Sequence, residues 1–452
     1  MHEERAFAWR ICPARVYDLG GTLLCSSLKE SDRVYAALEL KGLNLSMDDN
    51  LGRFIAILGL AMIVAIYARK LRLPFTIGLV LSGIGLAFTK PDFGTHLTHD
   101  LLFDMILPPL LFEAALSLSW QELILDAGPL FALAGVGTFV SAGVVAFATI
   151  NFLEWPAPSA LVFAALIAAT DPVAIIAMFK DNKIHGRLRL LVESESLLND
   201  GVAAVLFVAA MTWAQGYGAH QNYSELIFMM MRIMFGGIII GVFVGLFAMF
   251  ISFRTDEHII EAALTTIAAY GAFLLAEHFQ VSGVLATVSA GLMIGNFGLG
   301  KEMGSSFLSK KGQEFIHGFW EFAAFIANSI VFLLIGVDVA STPFTHYSLP
   351  LLGGITLISL FARALAVYPL SVLFLRSKRR ISLREQHVLW WGGLRGALAI
   401  ALALSLPPDL PMRDMILTST FAVVAFSIIV QGLTMPFLLR KLNFLPKAHA
   451  GQ

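Results

Sequence analysis

Charged residues and cysteines are both scarce in this chain. Only 14% of its 452 residues are charged, whereas an ordinary soluble domain has about 25%, and 57% are hydrophobic. The two cysteines, Cys12 and Cys25, precede the first long apolar run, so neither a disulfide framework nor a thiolate metal site supports the apolar part. The composition is typical of a polytopic membrane protein.

Motifs for nucleotides and for transition metals are also missing. The sequence has no glycine-rich phosphate loop ending in Lys-Ser or Lys-Thr, and it therefore gives no support to transport driven by ATP. It has no His/Cys pattern of the kind that binds zinc or copper. We expect no cofactor, no nucleotide and no nucleic acid among the ligands of this protein.

Residues 1–50 differ in character from the rest of the chain. They contain neither an apolar run of about 20 residues nor the pattern of a signal peptide, and we interpret them as a polar tail. The tail carries six basic residues before Met47. The distribution of basic residues among the loops predicts that the tail lies on the outer side of the membrane, where such charges are unusual. We therefore hypothesise that residues 1–46 are an extended or misassigned start.

Apolar runs long enough to cross a bilayer recur along residues 51–445. Spans of this length satisfy their main-chain polar groups as helices, so the sequence predicts an all-α polytopic domain with about thirteen transmembrane helices. The predicted spans are 51–68, 74–89, 98–119, 127–153, 157–180, 190–214, 224–251, 258–279, 281–297, 314–338, 349–375, 386–406 and 415–440.

Basic residues gather in alternate loops between these spans. Arg69–Arg72, Lys180–Arg189 and Arg376–Arg384 lie on one side, whereas the opposite loops hold little more than Lys90 and Arg413. The side rich in Lys and Arg is cytoplasmic by the positive-inside rule. The pattern predicts a multi-pass protein of the cell inner (plasma) membrane, with its C-terminus in the cytoplasm.

Two predicted spans are interrupted near their middle. Thr170–Pro172 places a proline in the fifth span, and Gly392–Gly396 weakens the twelfth. Because the two spans are an odd number of helices apart, they run in opposite directions, as two crossing discontinuous helices of an inverted repeat would. The alternatives are a simple proline kink and close packing at the glycines, although Arg395 among them favours a functional site.

The segment Glu195–Gly201 carries polar groups inside an apolar span. Glu195 and Asn199 are four residues apart, as are Ser196 and Asp200, so all four project from about one helix face. Carboxylate, hydroxyl and amide oxygens suit a hard cation such as Na⁺, Li⁺ or K⁺. Competition between a proton and a cation for Asp200, combined with alternating access, is sufficient to couple two opposed fluxes.

Four motifs together resemble one known family. They occur in order on the predicted spans, and the similarity covers about residues 51–440. The chain is similar to the monovalent cation:proton antiporters, specifically the sodium/proton exchanger branch of bacterial type. The motifs are Phe112–Ala115, Ala169–Val173, Glu195–Gly201 and Gly392–Gly396.

The resemblance implies a secondary antiporter that exchanges Na⁺ (or Li⁺) for H⁺. Asparagine stands at position 199 where relatives that move extra charge have a second aspartate, which implies electroneutral exchange. The Na⁺ ligands would be Asp200, Asp171, Ser196 and the Thr170 carbonyl. The cation and proton site as a whole would comprise Asp200, Asp171, Thr170, Ser196, Glu195 and Asn199.

The same resemblance implies two structural ion pairs and two moving parts. Arg363 would pair with Glu195, and Arg395 would pair with Glu113. A core of about residues 127–214 and 349–440 would move against dimerisation helices of about 51–119 and 258–338. We therefore expect a homodimer in the lipid bilayer whose partners are monovalent cations and protons.

Three other interpretations stay open at this point. K⁺/H⁺ exchange on the same scaffold differs only in the size of the cavity that the ion must fit. A membrane enzyme or receptor would use the buried acids in another way, although the chain lacks a paired His/Ser or metal-ligand constellation. A channel fits the paired interruptions less well than alternating access does.

Overall fold

The computed structural model describes most of the chain beyond the polar tail. All of the secondary structure in the described residues is helical. The chain divides after Ala56, and the cavity and the site residues lie in the unit that begins at Ile57. Residues 1–49, and with them the hypothesised start at Met47, lie outside the described residues. The described ranges are 50–71, 74–89, 97–182, 184, 186–216, 223–254, 257–299, 310–344 and 347–445.

Eighteen α-helices follow one another along the described residues. The first nine are α1 Asn50–Leu71, α2 Phe75–Thr89, α3 Leu107–Ser117, α4 Trp120–Leu125, α5 Ala127–Leu130, α6 Gly137–Leu153, α7 Ala157–Ala168, α8 Val173–Asp181 and α9 Arg187–Ala214. The others are α10 Tyr223–Ser252, α11 His258–His278, α12 Gly283–Met293, α13 Lys310–Ser341, α14 Leu349–Val372, α15 Leu383–Trp391, α16 Ala397–Leu404, α17 Arg413–Phe426 and α18 Gly432–Lys441. Four π-helical segments adjoin them, at Leu101–Ile106, Phe131–Val136, Ile294–Gly298 and Ser427–Gln431.

Eight helical segments of the described residues are long and apolar enough to cross a membrane, and three shorter helices are apolar. Each lies at a predicted span, which makes the chain a multi-pass membrane protein. The predicted spans 98–119 and 386–406 are helical only in shorter pieces. The eight long segments are Ala127–Leu153, Ala157–Lys180, Arg187–Ala214, Ser224–Ser252, His258–His278, Lys311–Ser341, Leu349–Val372 and Arg413–Lys441.

Both predicted helix interruptions are present. The chain leaves the helix between α7 and α8, where Pro172 has no N–H to donate and restricts the residue before it. It leaves the helix again between α15 and α16, where Gly392, Gly393 and Gly396 offer little helix propensity. Main-chain groups at both breaks must therefore find partners outside their own helix.

The π-helical segment Ser427–Gln431 supplies such partners to the second break. The Ser427 hydroxyl accepts a hydrogen bond from Arg395 N–H at 3.0 Å, and Gln431 Nε2 donates to the Trp391 carbonyl at 3.0 Å. A freed donor and a freed acceptor are thereby satisfied within the protein, as burial away from water requires. The break between α15 and α16 is held by the π-helical segment that joins α17 to α18.

Helix α7 lies at the centre of the largest apolar cluster. Its residues from Ser159 to Ala168 are buried, apart from Leu161, among side chains of α6, α9 and α16. Because α7 ends in the first break, its enclosure places Ala169–Pro172 deep inside the protein.

Helices α2 and α13 are in backbone contact at two glycines, Gly83 and Gly336. A Cβ added at Gly83 would overlap the Leu333 carbonyl oxygen, and one added at Gly336 would overlap the Val80 carbonyl oxygen. Small residues of this kind let two membrane helices approach until their backbones meet. The contact fixes α2 against α13, and both helices contribute to the cavity described below.

We predict that Gly336→Ala destabilises the protein, whereas Gly85→Ala on α2 does not. The added methyl group at Gly336 has no space, and overpacking of this kind costs about 1–3 kcal/mol. A Cβ at Gly85 meets no atom within 4 Å. Thermal unfolding of the purified protein in detergent measures the difference, and equal melting temperatures for Gly336→Ala and wild type would contradict the packing account.

Candidate cation site

The two helix breaks lie against each other. The Asp171 N–H donates a hydrogen bond to the Leu394 carbonyl at 2.7 Å, and Arg395 Nη1 donates to the Ala169 carbonyl at 3.2 Å. These two bonds join the break after α7 to the break after α15. Segments more than 220 residues apart in the chain thus form one junction.

The Asp171 carboxylate caps both half-helices that leave this junction. Its Oδ1 accepts the N–H of Val173, the first residue of α8, at 2.9 Å, and its Oδ2 accepts the N–H of Ala397, the first residue of α16, at 3.4 Å. Negative charge at a helix N-terminus is stabilising. The carboxylate fits because Gly396 has no Cβ, which would overlap Asp171 Oδ2.

A buried polar network ties helix α9 to the first break. The Ser196 hydroxyl donates a hydrogen bond to the Thr170 carbonyl, and Asn199 Nδ2 donates to Thr170 Oγ1 at 3.1 Å. The Thr138 hydroxyl of α6 lies 3.0 Å from Asn199 Oδ1. Ser196 and Asn199 are thus occupied with neighbouring protein groups and hold Thr170 in place.

Asp200 differs from the other predicted site residues in having an unused oxygen. Its Oδ1 is buried, with no hydrogen-bond partner among the residues that the structure describes. The side chain interacts electrostatically with the carboxylates of Asp171 and Glu195 and with the guanidinium of Arg395. A buried carboxylate oxygen in this position is available to a proton or a cation.

A cavity of about 310 Å³ reaches Asp200. Thr170, Asp171 and Asp200 line it, and so do the more exposed side chains of Lys180 and Glu321. Ser196, Glu195 and Asn199 are not among its lining residues. Of the six predicted site residues, three therefore line the cavity, Ser196 and Asn199 bond to Thr170 outside it, and Glu195 is paired elsewhere.

The structure brings Glu195 and Arg363 together, the two residues that the resemblance pairs. Arg363 Nη1 and Nη2 lie 2.8 and 2.7 Å from the two carboxylate oxygens, and both side chains are buried. Gly393 leaves room for the arginine, because a Cβ there would lie 2.6 Å from Arg363 Nε. This bidentate pair neutralises a carboxylate that precedes Asp200 by little more than one helical turn.

The predicted pair of Arg395 and Glu113 is wrong. Arg395 donates instead to the Ala169 carbonyl, which would accept from Val173 N–H in an unbroken helix but has lost that donor to Asp171. Glu113 lies at the cavity, where its Oε1 is 3.9 Å from Lys180 Nζ. A main-chain carbonyl freed by the break has replaced the expected carboxylate.

Sequence reasoning missed Thr138 and the role of Lys180. Thr138 gave no signal, because a threonine in an apolar span has no spacing relation to residue 199 on another helix. The charge pattern of the sequence indicates only a loop charge at Lys180, yet Val173, Ile176, Ala177 and Lys180 all line the cavity. These four residues are spaced as on one helix face, and this spacing is the sequence signal that groups Lys180 with the cavity wall.

We predict that removing either partner of the buried ion pair destabilises the protein more than removing both. Glu195→Gln or Arg363→Met leaves one buried charge alone, which costs about 3–5 kcal/mol, whereas the double variant leaves none. Unfolding in denaturant measures all three variants, with Asp414→Asn, whose side chain is 87% exposed, as control. A double variant as unstable as the sum of the two single variants would contradict the pairing.

Known proteins similar to this chain are sodium/proton antiporters. A profile for the family described as "Sodium/hydrogen exchanger, transmembrane" matches residues 57–441. The Na⁺/H⁺ antiporter ApNhaP of Aphanothece halophytica is 37% identical over 408 residues, which are 88% of this chain and 76% of that protein. The Na⁺/H⁺ antiporter NhaH of Halobacillus dabanensis is 34% identical over 87% of this chain and 98% of its own.

A solved structure shares the fold. The sodium proton antiporter MjNhaP1 from Methanocaldococcus jannaschii superposes with a TM-score of 0.70 and 21% identity, covering 87% of this chain and 98% of that one. The predicted membership is confirmed by the match over most of the chain. The chain belongs to the sodium/hydrogen exchanger family, and it is a transporter and not an enzyme.

Proposed function

We propose that this protein is a secondary antiporter that exchanges Na⁺, or Li⁺, for H⁺ across the inner (plasma) membrane. The observation that carries the proposal is the buried Asp200 Oδ1, which has no hydrogen-bond partner among the described residues and belongs to a side chain that lines the cavity. An ionisable group at such depth in a membrane protein is costly and is functional by default. The named antiporter activities of the relatives support the same conclusion.

Proton and cation compete for the Asp200 carboxylate. Asp171 and Thr170 line the cavity with it and supply further oxygen ligands of the kind that Na⁺ accepts. Because both oxygens of Asp171 accept main-chain hydrogen bonds, we assign the exchanged proton to Asp200 alone. Glu195 is neutralised by Arg363, and position 199 is an uncharged asparagine, so one proton for one cation makes the exchange electroneutral.

Ser196, Glu195 and Asn199 have supporting roles in this proposal. Ser196 and Asn199 hold the Thr170 main chain and side chain, and Glu195 holds Arg363 beside the second break. Ser196 becomes a Na⁺ ligand beside Asp200, Asp171 and the Thr170 carbonyl only after it releases that carbonyl, when the cation arrives.

The proposed membrane arrangement has thirteen crossings and a cytoplasmic C-terminus. Helices α7 and α8 form one discontinuous crossing and α15 and α16 the other, in opposite directions, and the capped N-termini of α8 and α16 both point at Asp171. Lys180 lies in the last turn of α8, on the basic side of the charge pattern, and we therefore assign the cavity to the cytoplasmic side.

Transport then follows from the movement of one part against another. The core of about residues 127–214 and 349–440 carries Asp200 and both breaks, and the helices of about 51–119 and 258–338 form the dimerisation part of a homodimer. Movement of the core exposes Asp200 first to one side and then to the other. The coupling requires only that Asp200 crosses with a proton or a cation bound, and never empty.

We predict that Asp200→Asn abolishes exchange. Proteoliposomes with an imposed pH gradient are supplied with Na⁺, Li⁺ or K⁺, and cation-dependent dissipation of the gradient is followed by a pH-sensitive dye. Wild type and the exposed control Asp414→Asn dissipate the gradient, whereas Asp200→Asn behaves as protein-free liposomes do. Dissipation with K⁺ alone would replace the Na⁺ assignment by K⁺/H⁺ exchange, and full activity of Asp200→Asn would contradict the mechanism.

A further inference from the structure

One buried hydroxyl in the cavity is not used by the proposed exchange site. Thr76 of α2 is 1% exposed, and its Oγ1 has no hydrogen-bond partner among the described residues. Thr76 also lines the cavity that leads to Asp200. Leaving a buried hydroxyl without a partner costs free energy unless a ligand or water satisfies it.

The wall around Thr76 offers other oxygen ligands. The ring of its neighbour Phe75 stacks on Phe325 of α13, with ring centroids 5.1 Å apart. Glu321, Phe325 and Asn328 lie at helical spacings of four and three residues, so they share one face of α13. Since all three line the same cavity as Thr76, this wall presents a hydroxyl, an amide and a carboxylate.

A positive charge already occupies the acidic part of this wall. Lys180 Nζ of α8 lies 3.5 Å from Glu321 Oε1 and 3.9 Å from Glu113 Oε1. The Lys180 and Glu321 side chains are substantially exposed, at 43% and 69%, so the ammonium is free to exchange with an arriving cation. The region therefore accommodates one monovalent positive charge near the route to Asp200.

We propose that the wall formed by α2 and α13 carries a second monovalent-cation subsite, made by the Thr76 hydroxyl, the Asn328 amide oxygen and the Glu321 carboxylate. The inference rests on the proposed antiport function and adds to it a site where the cation binds on its way to Asp200. The cation exchanges part of its hydration shell for these oxygens before it reaches Asp200. Lys180 neutralises Glu321 whenever the subsite is empty.

Cation binding to protein without the exchange carboxylate tests the subsite directly. We expect Asp200→Asn protein in detergent to bind Na⁺ weakly, as measured by scintillation proximity with radioactive Na⁺. Adding Thr76→Val weakens this binding by about tenfold, which is the loss expected for one hydrogen-bonding group on a charged ligand, and Thr76→Ser retains it. The matched control is Ser141→Ala, which removes a buried hydroxyl that also lacks a partner but lies outside the cavity.

Transport by the otherwise native protein gives a second measurement. Thr76→Val and Asn328→Leu raise the KM for Na⁺ and leave the maximal rate close to that of wild type, because the exchange step at Asp200 is intact. If Thr76→Val does not fold, Asn328→Leu takes its place in both experiments.

The outcomes separate the subsite from the exchange function. Asp200→Asn protein that binds no Na⁺ would overturn the subsite, and so would an equal effect of Thr76→Val and Ser141→Ala. Wild-type exchange with an unchanged KM in both cavity variants would overturn the subsite and leave the antiporter. Absence of exchange in wild type would overturn the proposed function, whereas Na⁺ binding lost specifically with Thr76 would still support the cation subsite.

Discussion

The Asp171 carboxylate holds the centre of this molecule together. It caps α8 with one oxygen and α16 with the other. The main-chain N–H of Asp171 donates a hydrogen bond to the Leu394 carbonyl. The arrangement requires a glycine at position 396, because any Cβ there would overlap the carboxylate. Two helices broken inside a membrane would otherwise leave main-chain donors without partners. Thr170, and through it α9, is positioned by the same junction.

The charges near the junction are neutralised in a way that singles out one carboxylate. Glu195 is paired with Arg363, Asp171 is bound by two main-chain N–H groups, and Arg395 donates to a main-chain carbonyl. Asp200 alone among these carboxylates keeps a buried oxygen without a partner in the described residues. In the proposed mechanism these pairs keep the surrounding charges fixed while proton and cation replace each other at Asp200.

Much of the fold could be predicted because proline, glycine and long apolar runs act locally. Pro172 and the glycines at 392–396 indicated both breaks. The four-residue spacing on α9 grouped Ser196 with Asp200, but only Asp200 lines the cavity, because Ser196 is bonded to the first break. The partner of Arg395 could not be predicted, because it is a carbonyl freed by tertiary structure and carries no side-chain signature. The cavity contributions of Thr76 and Lys180 arise from helices distant in sequence and needed the assembled structure.

Proton release on cation binding tests the central claim most directly. Purified protein in detergent and weak buffer is titrated with Na⁺ while the pH is recorded, and bound Na⁺ is measured in parallel. Competition at Asp200 predicts that wild type releases a proton for each Na⁺ it binds at the exchange site, and that Asp200→Asn releases none. Equal proton release by Asp200→Asn, or Na⁺ binding to the wild-type exchange site without proton release, would contradict the account.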